Sequence, residues 1–305
     1  MNRSRFVGAA AICGLLATGP YLLVLAGSAG SMILVYLAQL PLFVVGLWLG
    51  TSASVLAGLV TALILAVAGN LLSATVFAAL NVLPVVLLVR QSLLARTDSG
   101  NALEWYPPGL LTAWLTGLGL IVAAATLGFF GSPQGIEAAL REVLASALDG
   151  HFDDIAPEHD ELLALVAFIL PGIVAASWMV MTATNGCLAQ GLLARFGASW
   201  RPSPDLAALG LPVWIPVLLA LAAAATLVGG TARFLGINVM IVLAVPFCLA
   251  GLAVLHTVAR RFPRPTVTLV TFYVLTGVFG WPLLLVAVLG LLDSPLGLRR
   301  RFVQP

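Results

Sequence analysis

The stretch "HFDDIAPEHDE" gathers His151, Asp153, Asp154, His159, Asp160 and Glu161 within eleven residues. Imidazole and carboxylate together are the donor set of a divalent-metal site. A fixed ligand spacing such as H-E-x-x-H is missing, and Pro157 marks the segment as a loop, so these residues read as solvated loop charges. Cys13, Cys187 and Cys248 each lie inside apolar runs, without C-x-x-C or zinc spacing. No serine or cysteine stands in a nucleophile–base pattern, and no phosphate-cradling Walker sequence is present. The residues point to no catalysis, no metal and no cofactor.

A second group of polar residues sits inside apolar stretches: Gln39, Asn70, Asn81, Asn185, Gln190, Asn238 and His256. Polar groups are costly in lipid and face the interior of a helix bundle. Asn70, Asn81, Asn185 and Gln190 are the candidate liners of an intramembrane polar pocket. The alternative role for each is a hydrogen bond that ties one helix to the next. His256 lies one turn from Arg260, which places it near an interface.

These residues need helices to position them, and composition says where the helices lie. The chain is 61% hydrophobic and 9% charged, against about 25% charged for soluble domains. Lipid must therefore cover most of its surface. A net charge of +2 is too small to suggest a nucleic-acid partner, and none is expected. A membrane helix needs about 20 mostly apolar residues. That ruler predicts spans at 6–26, 31–50, 51–69, 71–89, 109–131, 162–185 (extending to 194), 209–229 and 236–259. "FVGAAAICGLLATG" has signal-peptide texture, but the apolar character continues, so a retained first helix is expected.

The last apolar block, 266–292, is interrupted by Gly277, Gly280, Trp281 and Pro282, and proline breaks a helix. Its halves are too short to cross comfortably, so a broken pair that enters and leaves by one face is expected. Basic residues near membrane ends stay cytoplasmic. With the N-terminus inside, nine arginines before this block also fall inside, and only Arg141 and Arg233 fall outside. The broken pair keeps Arg299, Arg300 and Arg301 inside too, with Asp293 close enough for them to neutralise it. Nine crossings with the tail outside is the competing arrangement.

The hydrophilic insert 132–161 holds eight of the twelve acids. Within it Ile136, Leu140, Val143, Leu144, Ala147 and Leu148 share one helical face. Ser132 suits the cap, Pro133 the first turn and Gly150 the end. This predicts an amphipathic helix on the outer membrane surface. The expected organisation is a single integral membrane domain, 1–305. It has a four-helix half at 1–90, a cytoplasmic loop at 91–108, and a C-terminal half at 109–305 that carries the insert.

Three stretches carry a resemblance: "LPGIVAASWMVMTATNGCLAQGLLARFG", "RPSPDLAALGLPVW" and "LLDSPLGLRRR". They resemble the YybS-like family of predicted bacterial membrane proteins, in its alphaproteobacterial form. The matching positions are Pro171, Asn185, Gln190, Arg201, Pro202, Leu211, Pro212 and the tail from Asp293 to Arg301. That family has no assigned chemistry. The run from Leu40 to Ala74, with Pro41, Gly46, Gly50, Gly58 and Gly69, is similar in texture to substrate-binding subunits of energy-coupling-factor transporters. Those are six-helix proteins, so no ligand residue carries over. The likeness implies capture of a small solute among helices two to six.

The expectation is an all-α polytopic helix bundle of the bacterial cytoplasmic membrane. It has about eight crossings, a C-terminal broken pair and one outer-surface helix, with both termini cytoplasmic. Its expected partners are the lipid bilayer, a small-molecule solute and a membrane protein. The expected role is non-enzymatic: a solute-binding or transport-related subunit without its own energy source, or else a scaffold that holds a partner.

Overall fold

The computed structural model describes residues 3–25, 34–97, 101, 103–147, 152–205 and 208–299; the side chains of 24, 25, 146, 147, 152–159, 294 and 295 are left aside. The described chain is almost entirely helical. The helices are α1 Arg3–Leu25, α2 Leu40–Leu49, α3 Thr51–Ala68, α4 Leu71–Ser92, α5 Pro108–Phe130, α6 Pro133–Ala147, α7 Phe152–Arg195, α8 Trp214–Val228, α9 Gly230–Ala259, α10 Pro265–Phe279 and α11 Pro282–Leu296. A two-stranded antiparallel hairpin, β1 Ala95–Thr97 and β2 Leu103–Trp105, pairs Arg96 with Glu104 inside the polar 91–108 stretch.

Six of the described helices are long and apolar enough to cross a membrane, and α2, α8, α10 and α11 are shorter apolar helices. Two of the eight expected crossings therefore fall short as continuous helices. The second is helical from Leu40 after a tight turn, and the seventh starts only at Trp214. The acidic stretch expected as a loop is instead helical from Phe152, as the first turns of the 44-residue α7. His151, and the side chains of Asp153, Asp154 and His159, lie outside what is described.

The chain divides into two compact units, Met1–Leu115 with Val180–Ala208, and Thr116–Met179 with Leu209–Pro305. The polar 91–108 stretch falls inside the first unit.

In the first unit, small residues let helices meet. A Cβ on Gly14 of α1 would stand 2.6 Å from the Ala57 carbonyl of α3. Thr61 on α3 donates to the Gly14 carbonyl at 2.8 Å. Small residues and hydroxyls of this kind drive helix association where lipid supplies no hydrophobic force. The bend from α2 into α3 turns on Gly50, whose φ of 98° suits glycine.

In the second unit, α6 folds down as its pattern requires. Ser132 Oγ accepts the Gly135 N–H at 3.2 Å, which caps the helix. Ile136 is buried with Ala167 of α7 and Phe234 of α9, and Leu140 packs on them. Leu144 packs on Leu163, whereas Val143 faces outward. Gly150 and Leu148 are outside the described residues.

The C-terminal block breaks where its glycine and proline predict. α10 ends at Gly280, with φ 68°, and α11 starts at Pro282. Phe272 and Phe279 of α10 face Leu285 and Leu289 of α11 across one cavity, so the two helices form a V with its apex at Gly280–Trp281. Leu255 of α9 lines the same cavity, and Cys248 and Gly251 of α9 meet Leu283 and Val286 of α11 in turn. α11 thus returns alongside α9, in the direction of Arg260. The broken pair expected from the sequence is present.

Large apolar side chains cover the outside of both units: Leu63, Val67, Phe129 and Leu227 are each more than 60% exposed. α10 buries no residue at all. Such a surface belongs against lipid.

Candidate functional site

Polar side chains of the first unit meet where the chain is irregular in two places. The chain turns tightly at 34–40, with Leu37, Ala38 and Leu40 each bonding three residues back. Pro41 follows, suited to the first turn of α2. In α4, a π-helical turn spans Ala78–Val82 just before Pro84. Pro84 has no N–H to give the Leu80 carbonyl four residues earlier. Gln39, from the first irregular turn, donates to that carbonyl at 3.3 Å and to Asn81 Oδ1 at 3.2 Å. Asn81 donates in turn to the Tyr21 hydroxyl of α1 at 3.1 Å.

α7 closes the other side of the turn. Asn185 donates to the Tyr36 carbonyl at 2.6 Å and to its own helix at Met181, 2.8 Å. Gln39, Asn81, Thr182 and Asn185 are all buried. Two oxygens of these residues, Gln39 Oε1 and Asn185 Oδ1, have no hydrogen-bond partner among the described residues, and neither has Thr182 Oγ1, one helical turn before Asn185 on α7. Buried oxygens without partners cost about 1–3 kcal/mol each. Natural interiors satisfy nearly all such groups, so these three call for a ligand or water. π-turns are frequent at functional sites.

Of the four expected liners, the structure brings Asn81 and Asn185 to this layer. Asn70 is elsewhere: it is exposed and caps α4, accepting from Ser73 N at 2.8 Å and Ser73 Oγ at 3.0 Å. Its place between Gly69 and Leu71, at a helix start, makes it a turn residue. Gln190 holds the chain after α7, donating to the Arg201 carbonyl at 2.8 Å. Gln39 and Thr182 are the layer members that the four candidates omit. The available signal for Gln39 was a lone amide two residues ahead of a proline.

At the end of this unit where α4 and α7 finish, Arg201 acts as a clamp. Its guanidinium is buried and donates to the Ser92 carbonyl at 3.1 Å and the Tyr106 carbonyl at 2.8 Å. Burial pushes its pKa below the ordinary arginine value. Trp200 beside it donates to the Trp48 carbonyl at 2.7 Å.

In the second unit, polar contacts are structural. Asn238 of α9 bonds α7 beside Pro171. Arg299 grips Asp293 through Nε at 2.7 Å and Nη2 at 2.6 Å, and its backbone N–H reaches the other carboxylate oxygen at 3.0 Å. This is the neutralising contact expected of the tail; Arg300 and Arg301 lie outside the described residues. The V of α10 and α11 holds an almost wholly apolar cavity of about 410 Å³. On α6, Arg141 pairs with Asp160 at 2.6 Å and Glu137 at 3.0 Å, and these bonds raise its pKa, Asp160 first. Among the described residues, no three histidine, cysteine or carboxylate groups gather as metal ligands.

No curated protein and no solved structure matches the chain. The family model described as predicted membrane protein (DUF2232) matches residues 21–294, nearly the whole length. With its many apolar helices and lipid-suited surface, the protein belongs to that family of membrane proteins.

Proposed function

We propose that this multi-pass protein, a YybS-like member of its family, binds a small polar solute in the cytoplasmic membrane of a bacterium. In this reading it catalyses no reaction and carries no energy source of its own. The observation that carries the reading is the buried layer around Gln39, Asn81 and Asn185, with its unpartnered oxygens. Asn81 lies at the middle of the apolar span Leu71–Ser92, the depth at which transporters hold substrate beside broken helices. The arginine count supports the orientation: Arg90, Arg96, Arg195 and Arg201 all lie at or just beyond the ends of α4 and α7, which this reading puts on the cytoplasmic side.

The test is thermal unfolding of the detergent-purified protein against a metabolite panel, in wild type and in Asn81→Leu and Asn185→Leu. A solute that stabilises wild type and neither variant supports the reading. If nothing in the panel shifts wild type, the scaffold reading takes over. That second reading has its own observation: α10 is a 15-residue apolar helix with no buried residue, a surface open to a membrane partner.

A further inference from the structure

We infer that the polar layer of the first unit holds a monovalent cation, of which sodium is the type. The inference deepens the proposed solute site, resting on the same layer being a ligand site but not on which solute it takes.

The unmet atoms are all oxygens. Gln39 Oε1 and Asn185 Oδ1 are amide acceptors, and Thr182 Oγ1 is a hydroxyl without a partner. The amide nitrogens of the same residues are already used, on the Leu80 and Tyr36 carbonyls among others. An incoming ligand therefore meets two amide acceptors and a hydroxyl that can accept as well, which favours a cation or a hydrogen-bond donor over an anion. Oxygen-only sets are the ligands of hard cations. Divalent calcium and magnesium sites lean on carboxylates. Here amide and hydroxyl oxygens carry no formal charge, so a monovalent ion is the match.

Ion sites in membrane transporters lie beside breaks in the helices. The 34–40 turn is such a break, set against the π-turn of α4; its Leu34, Val35, Tyr36 and Leu37 carbonyls are already bonded, so the side-chain oxygens are the ligands that remain. Asn185 Nδ2 lies on the Tyr36 carbonyl at 2.6 Å; its Oδ1 shares the same carbon, so that oxygen sits beside the turn. Thr182 stands one helical turn from Asn185 on α7 and is likewise buried. A buried water is the other occupant that oxygens of this kind accept, and it is an outcome of the test.

The experiment measures thermal unfolding of the full chain, without added solute, in sodium, potassium and N-methylglucamine chloride at constant ionic strength. Equilibrium binding of radioactive sodium runs in parallel. The expected result is a saturable rise in the midpoint with sodium and none with N-methylglucamine. Thr182→Val is the sharpest variant, because it removes an oxygen with no bond to lose. If the oxygen is merely an orphan, the variant is as stable as wild type or more so, and the sodium response is unchanged. If it is a ligand, the sodium response weakens several-fold while the midpoint in N-methylglucamine holds. Gln39→Leu should abolish the response. Absence of sodium binding and of any cation-dependent shift in wild type overturns the inference in favour of buried water. A response that survives in both variants overturns it for this layer. In either case solute binding from the panel can persist, so the cation and the solute site fail separately.

Discussion

Asn238 of α9 binds two backbone groups of α7 on either side of Pro171. Its Oδ1 accepts the Gly172 N–H at 2.6 Å, and its Nδ2 donates to the Phe168 carbonyl at 2.9 Å. Those two backbone groups, four residues apart, are the donor and acceptor of one helical rung of α7, so the side-chain amide of α9 reaches both of its members. Replacing Asn238 with leucine should lower stability by about 1–3 kcal/mol, since it removes buried hydrogen bonds between α7 and α9. Thermal unfolding in detergent measures this.

The seam between α9 and α11 has no room for a side chain. A Cβ on Gly251 would run into the Val286 carbonyl, and one on Gly290 into the Phe247 carbonyl. Alanine at either position should cost about 1–3 kcal/mol through overpacking. Gly277→Ala is the control, because nothing lies within 4 Å of its added Cβ. A Gly251→Ala protein as stable as wild type would mean that the seam is looser than described.

Arg201 binds chain ends that are remote in sequence. Arg201→Met leaves the Ser92 and Tyr106 carbonyls without their donor, at roughly 1–3 kcal/mol. Limited proteolysis of the 95–105 hairpin should accelerate with the substitution. Arg201→Lys should rescue only in part, because an ammonium lacks the planar fork that reaches two carbonyls at once.

The V of α10 and α11 predicts the side on which the chain ends. A topology reporter after Pro305 should read the same side as a cysteine in the Arg260–Arg264 connection, and a cysteine at Asp153 the opposite side. A reporter after Pro305 on the Asp153 side would contradict the re-entrant reading.

Much of the architecture was legible from residue order. Spans could be placed by length because a bilayer demands a roughly constant apolar run. The break at Gly280–Pro282 and the cap at Ser132 follow from local backbone chemistry. The amphipathic α6 was legible because its two faces differ. Val143, on the expected face yet exposed, shows the limit of that pattern. The acidic stretch after Gly150 was misread as a loop because charge and proline there mimic one, while its backbone continues into α7.

The polar site was only half legible. By itself the sequence determined that the protein lives in lipid, how far its apolar runs extend and where proline and glycine interrupt them. Those are properties of short segments against a fixed solvent. Tertiary structure decided which amides meet. Asn70 and Asn81 lie eleven residues apart in similar apolar surroundings, yet one caps an exposed turn and the other joins Gln39 and Tyr21. A helix that is apolar all round does not encode its own rotation. Which face turns inward is set by close glycine contacts, by a π-turn and by partners distant in the chain, and these exist only once the helices have packed.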